Sequence, residues 1–334
     1  MSRSGGKATQ CVAANDFVRS PDGSVCGVVE VPSWAVEWCS EVLGAVPVDQ
    51  LLASDGVTAV QAVRLDDGRV VVLKARGADE ARRARGCVEV QRLLAEQGFP
   101  CPRPLSMVTV VGDRAVHAEE WRPGGEKMRE DGQEAATRSA LLLAGLMQRL
   151  EGIRADPPLP NPEWVGWGHE GSGDFPANAR LDPLAARASL PAVIVETAPR
   201  VRARLLRAAL RPVVGHADWE AQNMRWAGTE PHVVYDWDSL AWLPEAAVVG
   251  AAAGMFASAE GPVLAPLESS MAFLDAYQVS RGRTFSVEER EVAWAASIWP
   301  ALYNAREEIL HDVPSVALTA LDQQADSRLS LARA

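Results

Sequence analysis

A chain of 334 residues with 48% hydrophobic and 23% charged residues has the composition of an ordinary folded protein, which excludes disordered and collagen-like chains. The net charge is −11, with 13 basic against 16 acidic residues up to Trp121 and 20 against 28 beyond it. A surface of that sign repels nucleic acid and anionic membranes and attracts cationic ligands.

Residues 1–33 mix Gly, Ser and Asp without a period and read as a tail or cap. Their first residues lack the apolar run of a secretory leader, so a cytoplasmic protein is expected, either monomer or homodimer. Trp34, Val36, Trp38, Val42 and Leu43 are spaced for a helix that Gly44 stops. Val57–Leu65 and Arg69–Ala75 are β-rich runs joined through Asp66-Asp67-Gly68, a strong hairpin signal. Ala78–Gln97 reads as a helix closed by Gly98, and Leu105–Val111 with Arg114–Trp121 as a second hairpin.

Pro123-Gly124-Gly125 breaks this pattern, and the chain beyond is mostly helical. Helices are expected at Gln133–Leu150, Pro183–Leu210, Pro244–Ala259, Leu264–Ser280, Val287–His311 and Val316–Ala332, with a short strand at His232–Asp236. The Pro/Gly/Trp-rich stretch 156–182 reads as an insertion or substrate-proximal loop. The apolar stretch Ala246–Ala259 has fourteen residues, too few to cross a bilayer. Five cysteines, an odd number without C-x-x-C, indicate neither a disulfide framework nor a zinc site. The expected organisation is a tail (1–33), a sheet-rich lobe (34–121) and a larger helical lobe (122–334).

The segment Gly215-His216-Ala217-Asp218-Trp219-Glu220-Ala221-Gln222-Asn223 is followed, after a turn, by Val233-Val234-Tyr235-Asp236-Trp237-Asp238. Moving a phosphoryl group from a nucleotide to a hydroxyl needs a carboxylate near that hydroxyl and oxygen ligands that hold Mg²⁺ against the phosphates. Magnesium takes one or two carboxylates with an amide or waters, and Asp218, Asn223 and Asp236 supply that set.

With H-x-D-x-x-x-x-N before a hydrophobic strand ending in D-x-D, the chain resembles the aminoglycoside phosphotransferase family of antibiotic and small-molecule kinases. The resemblance covers about residues 50–310 and is sharpest at 215–238. It implies an α+β, protein-kinase-like two-lobe fold with a small antiparallel-sheet N-lobe and a larger helical C-lobe. It implies Asp218 as catalytic base, His216 as the residue orienting the loop, Asn223 and Asp236 as metal ligands with Asp238 a further candidate, and ATP or GTP with Mg²⁺ as cofactors.

A kinase-like lobe also needs a strand cation for the nucleotide phosphates, and Lys74 ends Val70-Val71-Val72-Leu73-Lys74-Ala75. Only three of 33 basic residues are lysine, which makes this one informative. The family places a phosphate-covering turn before it, matched by Ser54-Asp55-Gly56-Val57-Thr58, and pairs the lysine with a helical glutamate. Glu89 is chosen for that partner, with Glu80 as substitute, because the family position aligns with Cys87. Family members acting on cationic antibiotics use C-terminal acidic residues, so Glu308 and Asp312, beside Trp299 and Tyr303, are substrate-binding candidates.

Taken singly, these residues have plainer readings: His216 as a hydrogen-bonded core histidine, Asp218 and Asn223 as a turn and a cap, Lys74 as a snorkelling side chain, the acidic C-terminal residues as a solvated face. A nucleotide-binding pseudoenzyme would lack the base or metal ligands, and a metal-dependent hydrolase would need a histidine cluster that His117, His169, His216, His232 and His311 do not form. The expected function is therefore nucleotide- and Mg-dependent transfer of the γ-phosphoryl group to a hydroxyl of a small molecule. The favoured acceptor is a cationic antibiotic, aminoglycoside-like or a basic peptide, with resistance as the outcome. A metabolic kinase of the choline, homoserine or sugar type is the alternative.

Overall fold

The first helix, α1 (Ser33–Leu43), ends where Gly44 turns left-handed at φ 70, a conformation that costs glycine nothing. The computed structural model describes residues 31–55, 58–178, 181–185, 189–261 and 263–334. Gly56 and residues 1–30 of the expected tail lie outside the described residues. The chain divides into two compact units, Met1–Gly124 with Val233–Asp238, and Gly125–His232 with Ser239–Ala334.

The first unit is built on a five-stranded antiparallel sheet in the order β1 (Pro47–Asp55), β2 (Ala59–Leu65), β3 (Val70–Gly77), β5 (Arg114–Glu120), β4 (Thr109–Val111). Both expected hairpins form, and β1 joins them as an edge strand whose sequence carries no clear alternation. Val63, Leu65, Val71, Leu73, Ala75, Val116 and Ala118 form one face and pack on Ala35, Trp38 and Cys39 of α1. Burying a side chain such as Leu65 or Leu73 there stabilises the fold by about 1.5–3 kcal/mol. On the other face Val60, Ala62 and Val72 pack with Leu52 and Trp121, while Ala115 meets Ala81, Ala84 and Val88 of α2 (Ala81–Glu96). A strand apolar on both faces is why Val70–Leu73 is unbroken by polar residues.

The second unit contains α3 (Gln133–Glu151), α4 (Asp182–Ala185), α5 (Ala192–Leu206), α6 (Glu245–Met255), α7 (Leu267–Arg281), α8 (Val287–His311) and α9 (Val316–Ala332). The helix expected over 183–210 is two separate helices, with Pro191 fixing the N-cap of α5. Helix α8 opens with a reciprocal capping box between Ser286 and Glu289. Strands β6 (Pro212–His216) and β9 (Leu240–Pro244) form one short antiparallel ladder, and β7 (Met224–Ala227) and β8 (Glu230–Val234) form a hairpin around Gly228.

The Ala/Gly-rich stretch after Pro244 becomes α6, buried along all but its first residue and packed on α8. A Cβ on Gly250 would sit 2.0 Å from the Ala293 carbonyl oxygen and one on Gly254 2.3 Å from that of Ser297, so only glycine permits this approach. The Arg328 guanidinium, fully buried, ties the helices together through Ser297 Oγ, Ser270 Oγ, the Ala265 carbonyl and Gln324. No helix among the described residues is long and apolar enough to cross a membrane.

Candidate active site

In the first unit the inner face of the β3–β5 pair carries a buried charged cluster. Alternation along β3 puts Val72, Lys74 and Arg76 on one side, and the register sets Lys74 opposite His117 and Val72 opposite Glu119. Lys74 Nζ lies 3.2 Å from Glu119 Oε1 and 3.8 Å from Asp238 Oδ2, and Arg76 Nη2 lies 2.5 Å from that same Asp238 oxygen. Gln91 of α2 holds the far side, its Nε2 donating to Glu119 Oε2 at 2.9 Å and to the Pro102 carbonyl at 2.8 Å. Burial works against the Lys74 ammonium, but Glu119, Asp238 and Asp236 more than offset it and hold its pKa above the ordinary lysine range. Burial likewise pushes Glu119 up, against the pull of Lys74 and the Gln91 hydrogen bond.

This arrangement corrects the expected Lys74–Glu89 pair. Glu89 lies on the outward side of α2 and takes a two-pronged contact from Arg92, at 2.8 and 3.0 Å. Glu80 sits just before α2, where its charge is felt by Arg76. Cys87, at the aligned position, is buried with Sγ 3.9 Å from the Asp238 carbonyl oxygen. Sequence reasoning missed Glu119, Gln91 and Arg76. The discoverable signal was the alternation of His117 and Glu119 on a strand that had to neighbour Lys74.

Segment 233–238 belongs to this unit. Val234 N donates to the Pro100 carbonyl at 2.7 Å, Tyr235 OH to that of Arg122 at 2.5 Å, and Trp237 is buried edge-on against Phe99. Asp236 is half-buried with φ 57, a left-handed conformation that aspartate tolerates better than most side chains. Burial raises the Asp238 carboxyl, yet Arg76, Lys74 and His117 outweigh that and hold it well below the usual range. Ser54, the last residue but one of β1, pairs with Val60, and Thr58 is half-buried immediately before β2.

In the second unit β6 ends at His216, and Ala221–Asn223 form one 3₁₀ turn that folds Asn223 back on Asp218. Asn223 Nδ2 donates to Asp218 Oδ2 at 2.6 Å and to the Asp218 carbonyl at 3.1 Å. Buried His216 accepts the Asp218 N–H on Nδ1 at 3.3 Å, with its ring edge-on to Trp219. The structure thus brings His216, Asp218 and Asn223 together. With Nδ2 on Asp218, the Asn223 Oδ1 lone pairs suit a hard cation, as does the Asp236 carboxylate. Among the described residues no three His, Cys, Asp or Glu side chains cluster closely enough to hold a metal. A magnesium ion on either group would draw further ligands from phosphate oxygens or water, its usual habit in phosphoryl-transfer sites.

Of the C-terminal substrate candidates, Glu308, Trp299 and Tyr303 are taken up by capping and packing contacts, while Asp312 stays exposed. Glu308 is 5% exposed, and its carboxylate accepts the N–H groups of Val316, Ala317 and Leu318 at 2.7–3.0 Å, capping α9. A carboxylate so engaged is a structural cap. Trp299 is fully buried against Trp167 and Phe175, and the Tyr303 hydroxyl accepts from Asn178 at 3.3 Å. Asp312 is the exposed left-handed C-cap of α8, its N–H returning to helix carbonyls. The second unit instead has an open cavity of about 430 Å³ lined by Asp174, Phe175, Asp182, Ile194, Val195 and Arg306.

His117 supplies a pH prediction. Burial, aided by Lys74 and Arg76 against the pull of Asp238, pushes it down to about 3, and neither ring nitrogen has a hydrogen-bond partner. The unfolded chain takes up this proton near the ordinary value of about 6.5, so the stability His117 contributes is full above that pH and is lost as pH falls toward 3. Between pH 7 and 4.5 the native protein should lose about 2–3 kcal/mol more than His117→Leu in chemical denaturation, at roughly 1.4 kcal/mol per pKa unit. Equal losses in the two proteins would exclude His117 as the source.

The model of the phosphotransferase enzyme family matches residues 50–307. No curated protein matches the chain. Among solved structures it is similar to amicoumacin kinase in complex with AMP-PNP, Ca²⁺ and Ami, at 11% identity and TM-score 0.61 over 90% of this chain and 94% of that one. It is also similar to a protein described as a fructosamine-3-kinase from Thermobifida fusca, at 20% identity and TM-score 0.56 over 90% and 100%. A third is an aminoglycoside phosphotransferase in ternary complex with ADP and hygromycin B, at 12% identity and TM-score 0.53 over 90% and 99%. The fold is kinase-like, as these likenesses show, and the match over most of its length, including both the lysine strand and the H-x-D-x4-N loop, establishes that the chain belongs to the phosphotransferase enzyme family.

Proposed function

We propose that this phosphotransferase moves the γ-phosphoryl group of ATP or GTP, with Mg²⁺, to a hydroxyl of a small cationic molecule, an antibiotic of the aminoglycoside or basic-peptide kind. The observation that carries the reading is the Asn223–Asp218 hydrogen bond inside the H-x-D-x4-N loop, which fixes the orientation of the candidate base's carboxylate. Asp218 orients the substrate hydroxyl and accepts its proton as transfer proceeds. His216 holds the loop through the Asp218 N–H. Lys74, kept cationic by Glu119 and Asp238, binds phosphate oxygens, and Asn223 and Asp236 hold the metal. Bound Mg²⁺ neutralises charge developing on the transferred group.

Amicoumacin kinase and the hygromycin B complex support an antibiotic acceptor, as the net charge of −11 supports a cationic one. The open cavity is lined by Asp174 beside an Arg306 that pairs with Asp182 and lies over the Phe175 ring, and Asp174 is the carboxylate it offers to such a molecule. The metabolic reading draws its support from the fructosamine-3-kinase likeness. A screen of hydroxylated amines, neutral sugars and hydroxy acids, read by nucleotide turnover with ATP and GTP, tests both. A cationic acceptor should dominate, and its apparent KM should rise with ionic strength, since the Debye length is about 10 Å at 0.1 M salt. Preferred turnover of a sugar or a hydroxy acid selects the metabolic alternative, and no acceptor-dependent turnover rejects phosphoryl transfer.

A further inference from the structure

Lys74 is held from within its own sheet. The β3–β5 register sets Val72 opposite Glu119, so the Glu119 side chain meets Lys74 on the diagonal, a distance that two long side chains can bridge. Its two oxygens are divided: Oε1 lies 3.2 Å from Lys74 Nζ, and Oε2 accepts from Gln91 Nε2 at 2.9 Å. The same Gln91 amide donates to the Pro102 carbonyl at 2.8 Å. The chain after Pro102 is in turn stitched to β5, where Glu120 N donates to the Arg103 carbonyl and Leu105 N to that of Ala118, both at 2.8 Å. Lys74, Gln91 and Glu119 are all buried, and a buried carboxylate with a donor on each oxygen is fixed in position as well as in charge. Helix α2 offers no carboxylate for this task. Its two glutamates, Glu89 and Glu96, both pair with Arg92, at 2.8 and 2.5 Å, and burial pushes the Cys87 thiol up to about 12, so that it stays neutral. Asp238 is the more distant carboxylate, 3.8 Å from Lys74 Nζ through an oxygen that lies 2.5 Å from Arg76.

Resting on the phosphate role proposed for Lys74, we propose that Glu119 and Gln91 are positioning residues for the phosphoryl donor: Gln91 sets the Glu119 carboxylate, and Glu119 holds the Lys74 ammonium in place for phosphate oxygens. The brace for the lysine comes from the neighbouring strand β5, and α2 contributes a neutral amide in place of a helix carboxylate. A lysine side chain has four rotatable bonds, and the brace removes that freedom before a nucleotide arrives. Charge and position make opposite demands here. A carboxylate near bound phosphates repels them, so Glu119 opposes nucleotide binding through its charge and favours it only by placing Lys74. The sign of the change on neutralising Glu119 therefore separates the two roles.

The test uses the full chain with Mg²⁺ and calorimetric titration of AMP-PNP or GMP-PNP, whichever the parent binds more tightly. The matching nucleoside, adenosine or guanosine, carries no phosphate and is the control, and thermal melting is recorded for each variant. Glu119→Gln keeps the side chain's shape and removes its charge. It should weaken the analogue by about 10- to 100-fold, the worth of a hydrogen bond to a charged group, and leave the nucleoside within about threefold of the parent. Gln91→Met keeps the Glu119 charge and removes the hydrogen bond that orients it. It should weaken the analogue by about 3- to 10-fold, and it is the deciding variant if Glu119→Gln does not fold. In a Lys74→Met background, itself weakened, Glu119→Gln should cause no further loss, because its effect passes through the lysine. Parental or tighter binding of the analogue in Glu119→Gln overturns the proposal, as does parental binding in Gln91→Met, an equal loss for the nucleoside, or a further loss beyond Lys74→Met. Parental binding of the analogue by Lys74→Met, or a parent that binds neither analogue, rejects the phosphate role of the lysine itself, a result distinct from each of these.

Discussion

Asp236→Ala should abolish phosphoryl transfer. The metal's charge stabilisation of a phosphoryl-transfer transition state is worth several kcal/mol, and about 1.4 kcal/mol is tenfold in rate, so losing a metal-binding carboxylate lowers kcat by about 10³-fold or more. Alanine at φ 57 adds about 1–2 kcal/mol of backbone strain, which could lower activity by unfolding alone. Asp236→Asn removes that ambiguity, because asparagine accepts the left-handed conformation and keeps an oxygen while losing the charge. Both variants should melt within a few degrees of each other, and both should require far more Mg²⁺ for AMP-PNP binding. The first unit's packing gives no reason for global loss: Trp237 and Val234, on either side, are buried and hydrogen-bonded independently of the Asp236 carboxylate. Near-parental turnover in Asp236→Asn would falsify the metal role.

The elements that could be read from sequence are those whose apolar spacing or turn chemistry is local. Gly44 and the Asp66-Asp67-Gly68 turn announce themselves because only certain residues take those backbone conformations, and α8 extends over the expected Val287–His311 because its periodicity and its Ser286/Glu289 box agree. The short strands β6, β7 and β9 were not visible, since runs of four or five residues carry too little alternation to distinguish them from loops. At the site, His216, Asp218, Asn223 and Asp236 were legible because they fall within one short span. The partner of Lys74 was not, because Glu119 reaches it diagonally across the β3–β5 ladder and that register is a tertiary property. The eye instead follows α2, where Glu89 is half-buried between Val88 and Val90 and pairs with Arg92 of its own helix. Glu308 misleads for a related reason: its charge reads as surface until α9 folds back and presents three unsatisfied N–H groups to it, Ser315 having provided no side-chain cap.

Asp218→Asn should lower kcat by about 10²–10⁴-fold, the range for a general acid–base group, while leaving AMP-PNP affinity within about threefold of the parent. The asymmetry follows from where Asp218 sits. It is in the second unit and its side chain bonds Asn223, whereas the cation assigned to the phosphates, Lys74, draws its charge environment from Glu119, Asp238 and Asp236. A neutral amide could still accept the Asn223 N–H on its oxygen, so the loop keeps its fold. What disappears is a negative oxygen able to orient a hydroxyl and take its proton. The transition state of phosphoryl transfer is loose, with little need for early proton removal, so the loss falls short of that expected from removing the metal. A solvent with a more acidic acceptor hydroxyl is not needed to test this, because acceptors of graded hydroxyl acidity suffice: the deficit of Asp218→Asn should shrink as the hydroxyl becomes more acidic. A deficit independent of acceptor acidity makes Asp218 an orienting group alone, and a variant that lost nucleotide binding while keeping its turnover at saturation would remove it from the chemistry altogether.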